Sequence, residues 1–180
     1  MKIKSAVCYC FLSLFVLTSF RSLSDSYTYE DNDCSLQFPA KPKTDTIVKE
    51  TQLGKLTIFV HVLKNEAGSA DDNKIYQLVK TEYPMEELQH PTKKVAEGFF
   101  EGTISSSVKG VNGKLISTKD VLVDGNYGKE VIIDYSNDTK RIRMLACIAK
   151  SKMYAVATIA ATDKSDNPNA KAFFSSFKIK

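Results

Sequence analysis

Residues 129–161 read KEVIIDYSNDTKRIRMLACIAKSKMYAVATIAA and contain two turn signals, each of which imposes a strand register. A two-residue turn at Asn137-Asp138 sets Ile133 opposite Ile142 and Val131 opposite Met144 on one face. A second turn at Lys150-Ser151 sets Ile148 against Met153, Ala146 against Ala155 and Ile142 against Ile159. Both turns extend the same apolar face, which is therefore the expected core of an antiparallel meander. On the opposite face Asp134 meets Arg141, and Glu130 lies diagonal to Arg143, so charges meet with opposite signs. The simplest reading of Glu130, Asp134, Arg141 and Arg143 is a solvated face, each pair worth tenths of a kcal/mol. Its functional reading is a docking face.

Working outward, the spacing predicts strands at 114–124, 129–135, 139–149 and 153–161. Upstream, four extended runs at 34–38, 44–52, 55–64 and 74–83 carry β-branched and aromatic residues, punctuated by Pro39, Pro42, Gly54, Gly68 and Pro84. Between the two groups, Val95, Ala96, Phe99, Phe100, Thr103, Ile104 and Val108 draw one apolar stripe of a helix that Gly110 can terminate. Gly98 and Gly102 weaken that helix by up to ~1 kcal/mol each relative to Ala and leave room for close approach to the sheet. Asn167 as N-cap and Pro168 at the first helical position open a final helix, with Phe173, Phe174 and Phe177 at helical spacing, on which the chain ends. The expected class is α+β: an antiparallel meander sheet of about six to eight strands, a helix after the fourth strand, and a C-terminal helix packed on the sheet.

Lys2 and Lys4 precede an apolar run from Ala6 to Phe20, after which Arg21 opens a polar stretch. This is the pattern of a secretory signal peptide over residues 1–24, with small residues in Ser22-Leu23-Ser24 placing the cut before Asp25. The uncharged run of about 16 residues is short of the roughly 20 that span a bilayer, so no stable membrane span is expected after processing. Residues 25–33 read as a loose polar leader and residues 34–180 as a single globular domain. The expected location is secreted or periplasmic.

Basic residues outnumber acidic ones by 25 to 21, and three of the basic ones, Lys2, Lys4 and Arg21, belong to the leader. The remaining domain is close to neutral and has no clustered basic footprint for nucleic acid. Cys8 and Cys10 also lie in the leader, leaving Cys34 and Cys147. In an oxidising compartment these two could close a disulfide over a loop of about 110 residues, worth about 4–5 kcal/mol in the chain-entropy picture, or stand as two buried thiols. Both readings stay open.

Phe38-Pro39-Ala40-Lys41-Pro42-Lys43 resembles the Phe-Pro-Gly-Lys-Pro start of a group of small, secreted bacterial domains of unknown function. Asp124-Gly125-Asn126-Tyr127-Gly128-Lys129-Glu130 looks like their Gly-Tyr-Pro-Gly-Arg-Glu turn, and Ala172-Phe173-Phe174-Ser175-Ser176-Phe177 like their closing Phe-Phe-x-Ser-Phe helix. Ala40 replaces a Gly of that pattern, Lys129 replaces an Arg, and the Pro of the central turn is absent. More distantly, the order of elements is similar to the α/β/α sandwich of PsbP-type photosystem accessory proteins and of a nuclear Ran-release factor. Those resemblances imply docking and accessory roles without a shared reaction.

Chemistry is sparse. His61 alternates with Thr57, Phe59 and Leu63 and reads as a strand residue; His90 precedes Pro91 in a turn. No His, Cys and carboxylate cluster has metal-ligand spacing, no Gly-x-Ser-x-Gly elbow is present, and no glycine-rich loop has nucleotide-binding spacing, so no cofactor is expected. Asp163-Lys164-Ser165-Asp166-Asn167 begins like a calcium loop, but Pro168 and Phe174 occupy the positions that need Gly and Glu, and a helix cap explains it better. Asn137-Asp138-Thr139 is a glycosylation sequon only in a eukaryotic secretory pathway. The expected function is a non-catalytic binding or accessory domain that docks a protein or cell-envelope component. The alternatives are a carrier of an apolar ligand between sheet and helix, lined by Phe99, Phe100 and Phe174, and a cryptic hydrolase.

Overall fold

A computed structural model describes residues 26–180. The leader, its cut before Asp25, and Cys8 and Cys10 lie outside the described residues. The described chain runs β1 (Tyr27–Glu30), β2 (Cys34–Phe38), β3 (Lys43–Thr51), β4 (Gly54–Lys64), β5 (Asn73–Glu82), α1 (Lys93–Gly110), β6 (Lys114–Val123), β7 (Asn126–Tyr135), β8 (Lys140–Ala149), β9 (Lys152–Ala161), α2 (Pro168–Ser175) and β10 (Lys178–Ile179). Seven strands form one antiparallel sheet in the order β3-β4-β5-β9-β8-β7-β6, and β1, β2 and β10 form a second, three-stranded sheet.

The register expected from the two turns is the one observed. Ile133 faces Ile142 and Val131 faces Met144, while Ile148 faces Met153, Ala146 faces Ala155 and Ile142 faces Ile159. Asn137 and Asp138 have φ of 53° and 61°, and Lys150 and Ser151 have 52° and 59°. Both turns therefore hold two residues in the left-handed region, as in a type I′ turn, whose twist matches that of the flanking strands. The Asp124-Gly125 turn behaves likewise, with φ of 47° and 82°. It is shorter than expected, because Asn126, Tyr127 and Gly128 already belong to β7. A Cβ on Gly128 would stand 3.0 Å from the Ala146 carbonyl oxygen, so this position admits no side chain without movement.

The main sheet is not one continuous meander. The β3-β4-β5 and β6-β7-β8-β9 runs are each meanders, and the antiparallel pairing of β5 with β9 joins them, so that Leu78 faces Val156 and Lys80 faces Tyr154. The first expected strand, Cys34–Phe38, is not in this sheet at all. Its alternation of Cys34, Leu36 and Phe38 points all three onto the second face of the main sheet, in a core with Tyr76, Leu78, Cys147, Tyr154, Val156, Phe173 and Phe177. The loose leader expected over 25–33 is corrected as well. Tyr27–Glu30 pairs along β2, because a strand there lays its tyrosines beside the second core and brings acidic residues to buried Lys80.

The other core lies under α1, where Ala96, Phe100 and Ile104 pack on Val131, Ile133, Ile142, Met144, Ala146 and Ile148. Thr92 caps this helix by accepting from the Val95 N–H. Its end is set by Asn112 rather than Gly110: Asn112 has φ 48°, its N–H donates to Lys109 O, and Gly113 N–H donates to Val108 O. That pair of bonds is a Schellman motif with Asn at the left-handed position. Asn167 caps α2 through the Ala170 N–H, with Pro168 at the first turn. The chain ends beyond this helix, on β10, which pairs with Ser35 and Cys34. No helix among the described residues is long and apolar enough to cross a membrane.

Ile133 is fully buried and Leu122 is 69% exposed. Ile133→Ala should therefore cost about 2–5 kcal/mol by removing methylenes from a filled core, and Leu122→Ala less than about 0.5 kcal/mol. Urea denaturation of the two variants measures the difference, and comparable losses would place the core elsewhere.

Candidate functional site

A groove of about 1260 Å³ opens where α1 leaves part of the first sheet face uncovered. Its floor consists of Gln77 and Val79 from β5, Ile142 and Met144 from β8, and Ala155, Ala157 and Ile159 from β9; its wall is Phe99 and Val111, with Leu53 at the tip of the β3-β4 hairpin. Gln77 aside, the floor is apolar for a simple reason. Every strand contributes alternate residues to this face, and α1 packs toward the β7 and β8 side of it. Phe99 is held in place by Tyr83, the rings meeting edge to face at 5.0 Å. Gly98 and Gly102 line the mouth, and a Cβ at either would meet nothing within 4 Å. They do not mediate close contact with the sheet, contrary to the expectation from sequence. Of the three phenylalanines expected to line a sheet–helix site, Phe99 does, Phe100 is sealed in the core, and Phe174 lies on the other face of the sheet.

The four residues expected to form a docking ladder have separate fates. Arg141 grips Asp134 with two hydrogen bonds, Nε to Oδ1 at 2.6 Å and Nη2 to Oδ2 at 2.7 Å. Asp134 is only 5% exposed. Its carboxyl is held below the ordinary range first by the Arg141 hydrogen bonds, against the upward push of burial, with the charges of Arg141 and Lys114 adding to the lowering. Arg143 turns instead to Asp166 at 2.6 Å and the Ser165 carbonyl at 3.3 Å. Glu130 and Arg143 share a smaller cleft of about 490 Å³ with Lys119, Lys171 and Phe174. The solvated-ladder reading is therefore corrected for Asp134, which is buried in its pair with Arg141, while Arg143 is taken up by the exposed Asp166 in the segment before α2.

Sequence reasoning missed a buried polar cluster at the β1 end. Lys80 is 5% exposed and donates to Asp31 Oδ2 at 2.6 Å. Tyr29 OH donates to the same oxygen at 2.6 Å, and the Asp33 and Cys34 N–H groups donate to Oδ1 at 2.8 and 2.9 Å. Burial pushes the Asp31 carboxyl up, and these donors outweigh it and hold it well below its usual range. The Tyr29 ring lies 4.2 Å from that of His61, whose two ring nitrogens have no partner. Burial, and next the charge of Lys80, hold His61 toward its neutral form. The period-two spacing of Tyr27 and Tyr29 just before Glu30 and Asp31 was the signal for this cluster in the sequence.

Cys34 and Cys147 are free, buried thiols in the second core. Burial pushes both up to about 12, with Asp31 adding to the effect at Cys34 and Asp124 at Cys147, so neither has the low-pKa environment of a reactive cysteine. His90 is exposed in its turn. Asp166 and Asn167 serve the Arg143 ion pair and the α2 cap, while Asn73 and Asn167 exchange amide hydrogen bonds at 2.9 and 3.0 Å. Among the described residues no three His, Cys, Asp or Glu side chains converge on a metal position.

No protein-family model matches the chain, and no curated protein does. Among solved structures, the fold is similar to that of cyanobacterial PsbP (CyanoP) from Synechocystis sp. PCC 6803, with a TM-score of 0.54 at 12% identity, covering 87% of this chain and 93% of that one. The Pseudomonas aeruginosa protein PA94 aligns over 78% of this chain and 86% of its own at 7% identity, with a TM-score of 0.37. The first likeness supports the PsbP-like architecture expected from the order of elements. At such identity it is a likeness of fold alone.

Removing Arg141 leaves Asp134 as an unpaired buried carboxylate, so Arg141→Ala should cost about 3 kcal/mol at neutral pH rather than the tenths expected of a solvated pair. The sign of the pH dependence follows. A carboxyl depressed in the folded state contributes stability that is present above its unfolded pKa of about 4 and is lost as pH falls through the lower folded value. In the variant the unpaired buried carboxyl takes up its proton at higher pH than in the wild type, so the wild-type advantage over Arg141→Ala should shrink as the pH falls from neutral. Urea melts across this range test it, and a pH-independent difference would mean that Asp134 does not carry the effect.

Proposed function

We propose that the protein is an exported, non-catalytic binding domain that holds an apolar chain, such as an acyl chain, in the groove between α1 and the uncovered part of the first sheet face. The observation that carries this reading is the groove's floor, built from Val79, Met144, Ala157 and Ile159 without a charged side chain among them. A volume of about 1260 Å³ is more than enough for a ligand of this kind, since ligand sites are commonly a few hundred to ~1,000 Å³ and mostly apolar. Gln77 is a polar exception on the floor, and further polar groups line the groove at Glu87, Lys94, Ser106 and Ser107. Such an arrangement favours a ligand with an apolar body and a polar end.

Docking of an envelope protein through the Glu130, Asp134, Arg141 and Arg143 face is the weaker reading, because Asp134 and Arg141 satisfy each other and Arg143 is engaged by Asp166. Export rests on Lys2, Lys4 and the apolar run to Phe20. N-terminal sequencing of protein from the producing cell should begin near Asp25, and an intact Met1 on protein inside the cell would end that part of the proposal.

The groove is tested by filling it. A Cβ at Gly102 meets nothing within 4 Å, so Gly102→Leu should be accommodated, raise helix stability by up to ~1 kcal/mol and occupy the mouth. Titration with a naphthalene-based fluorescent probe and with long-chain fatty acids should show saturable binding to the wild type and at least a tenfold loss in the variant. Binding that is absent from the wild type, or equal in the two proteins, would overturn the assignment.

A further inference from the structure

The two outer edges of the seven-stranded sheet are unlike each other. β6 is interrupted by a bulge between Leu115 and Ser117, and its charges are spent within the chain: Asp120 on Lys93 and Lys129, Lys119 on Glu130. Those are devices that blunt an edge. β3 has exposed charges, Lys43, Asp45, Lys49 and Glu50, but no bulge. It pairs with β4 over nine residues without a break, and every residue from Lys43 to Glu50 is exposed, including Ile47 at 46% and Val48 at 54%. Among the described residues, Lys43, Asp45, Lys49 and Glu50 form no ion pair; Asp45 only accepts from the neighbouring Thr46 N–H.

We infer that β3 is a homodimer edge, which pairs antiparallel with β3 of a second copy about a twofold axis through Ile47. The occupant follows from charge complementarity. A twofold axis normal to the sheet keeps residues of one face opposite residues of the same face, so the axis must pass through a residue position of the strand. Through Ile47, it sets Asp45 opposite Lys49 of the second copy and Lys49 opposite Asp45 of the second copy, with the two Ile47 side chains between them. Thr46 then faces Val48 on the reverse side. An axis through Thr46 would set Lys43 against Lys49 twice, and one through Val48 would set Ile47 against Lys49 and leave Asp45 opposite Thr51. One register is attractive and its neighbours are not, which is how register is specified on a sheet edge. The contact is isologous and closes at two copies, each using up its β3 edge. Because the axis is normal to the sheet, both copies carry their helix-side grooves on the same side of a continuous sheet.

The test uses protein with its native N-terminus in sedimentation velocity from micromolar to several hundred micromolar. The wild type should dimerise with rising concentration. Asp45→Lys and Lys49→Asp should each raise the dissociation constant at least tenfold, since each places like charges opposite each other twice. An equimolar mixture of the two variants should recover dimer as a heterodimer, and the double variant D45K/K49D should recover the homodimer. Gly102→Leu, on the helix, should leave dimerisation unchanged, which separates this inference from the groove assignment. A wild type that stays monomeric throughout, single variants that dimerise as the wild type does, or a mixture and double variant that recover nothing would each overturn it.

Discussion

The pairing of β5 with β9 is the constraint on which the rest of the molecule depends. It brings residues 73–82 against residues 152–161 and so converts two local meanders into one sheet that is deep enough to bury both faces. Closing so long a loop costs entropy, but that cost grows only slowly with loop length. It is offset by burial of Leu78, Tyr76, Tyr154 and Val156, all fully buried. Once the pairing is made, α1 must cross on one face to carry the chain from β5 to the far edge at β6, and the segments outside the two meanders are left to cover the other.

The two faces are covered differently. On the first, a single helix packs toward the β7 and β8 side and leaves the groove; on the second, the small sheet and α2 act together to bury Tyr76, Cys147 and Tyr154. Polar anchors fix the second cover. Asp31 reaches Lys80 from the turn between β1 and β2, and Asn167 at the start of α2 clasps Asn73 at the start of β5. Each anchor satisfies groups that would otherwise be buried without partners, a loss typically worth more than the net gain of an average hydrogen bond. Covers held in this way are specified in position as well as in depth.

Turn chemistry made the second half legible. Asn137-Asp138 and Lys150-Ser151 each bind strands adjacent in sequence, so their register depends on local backbone twist and on alternation that can be counted residue by residue. The helix stripe and the Asn167-Pro168 start were local in the same sense. The groove was legible only in outline: Phe99 could be placed near a sheet–helix boundary, but whether the helix would cover all of the face or part of it depends on where the helix crosses.

By itself, the sequence determined strand register across the β7-β8-β9 turns, the helical segments and the apolar face beneath α1, because each follows from interactions between residues a few positions apart. Only the tertiary structure decided that Cys34–Phe38 leaves the main sheet, that Tyr27–Glu30 is a strand, and that Arg141 and Asp134 form an internal pair rather than a solvated one. An alternating strand reads the same whether its second face meets water or another layer. Which it meets is set by elements distant in the chain, through a burial energy that no local pattern contains.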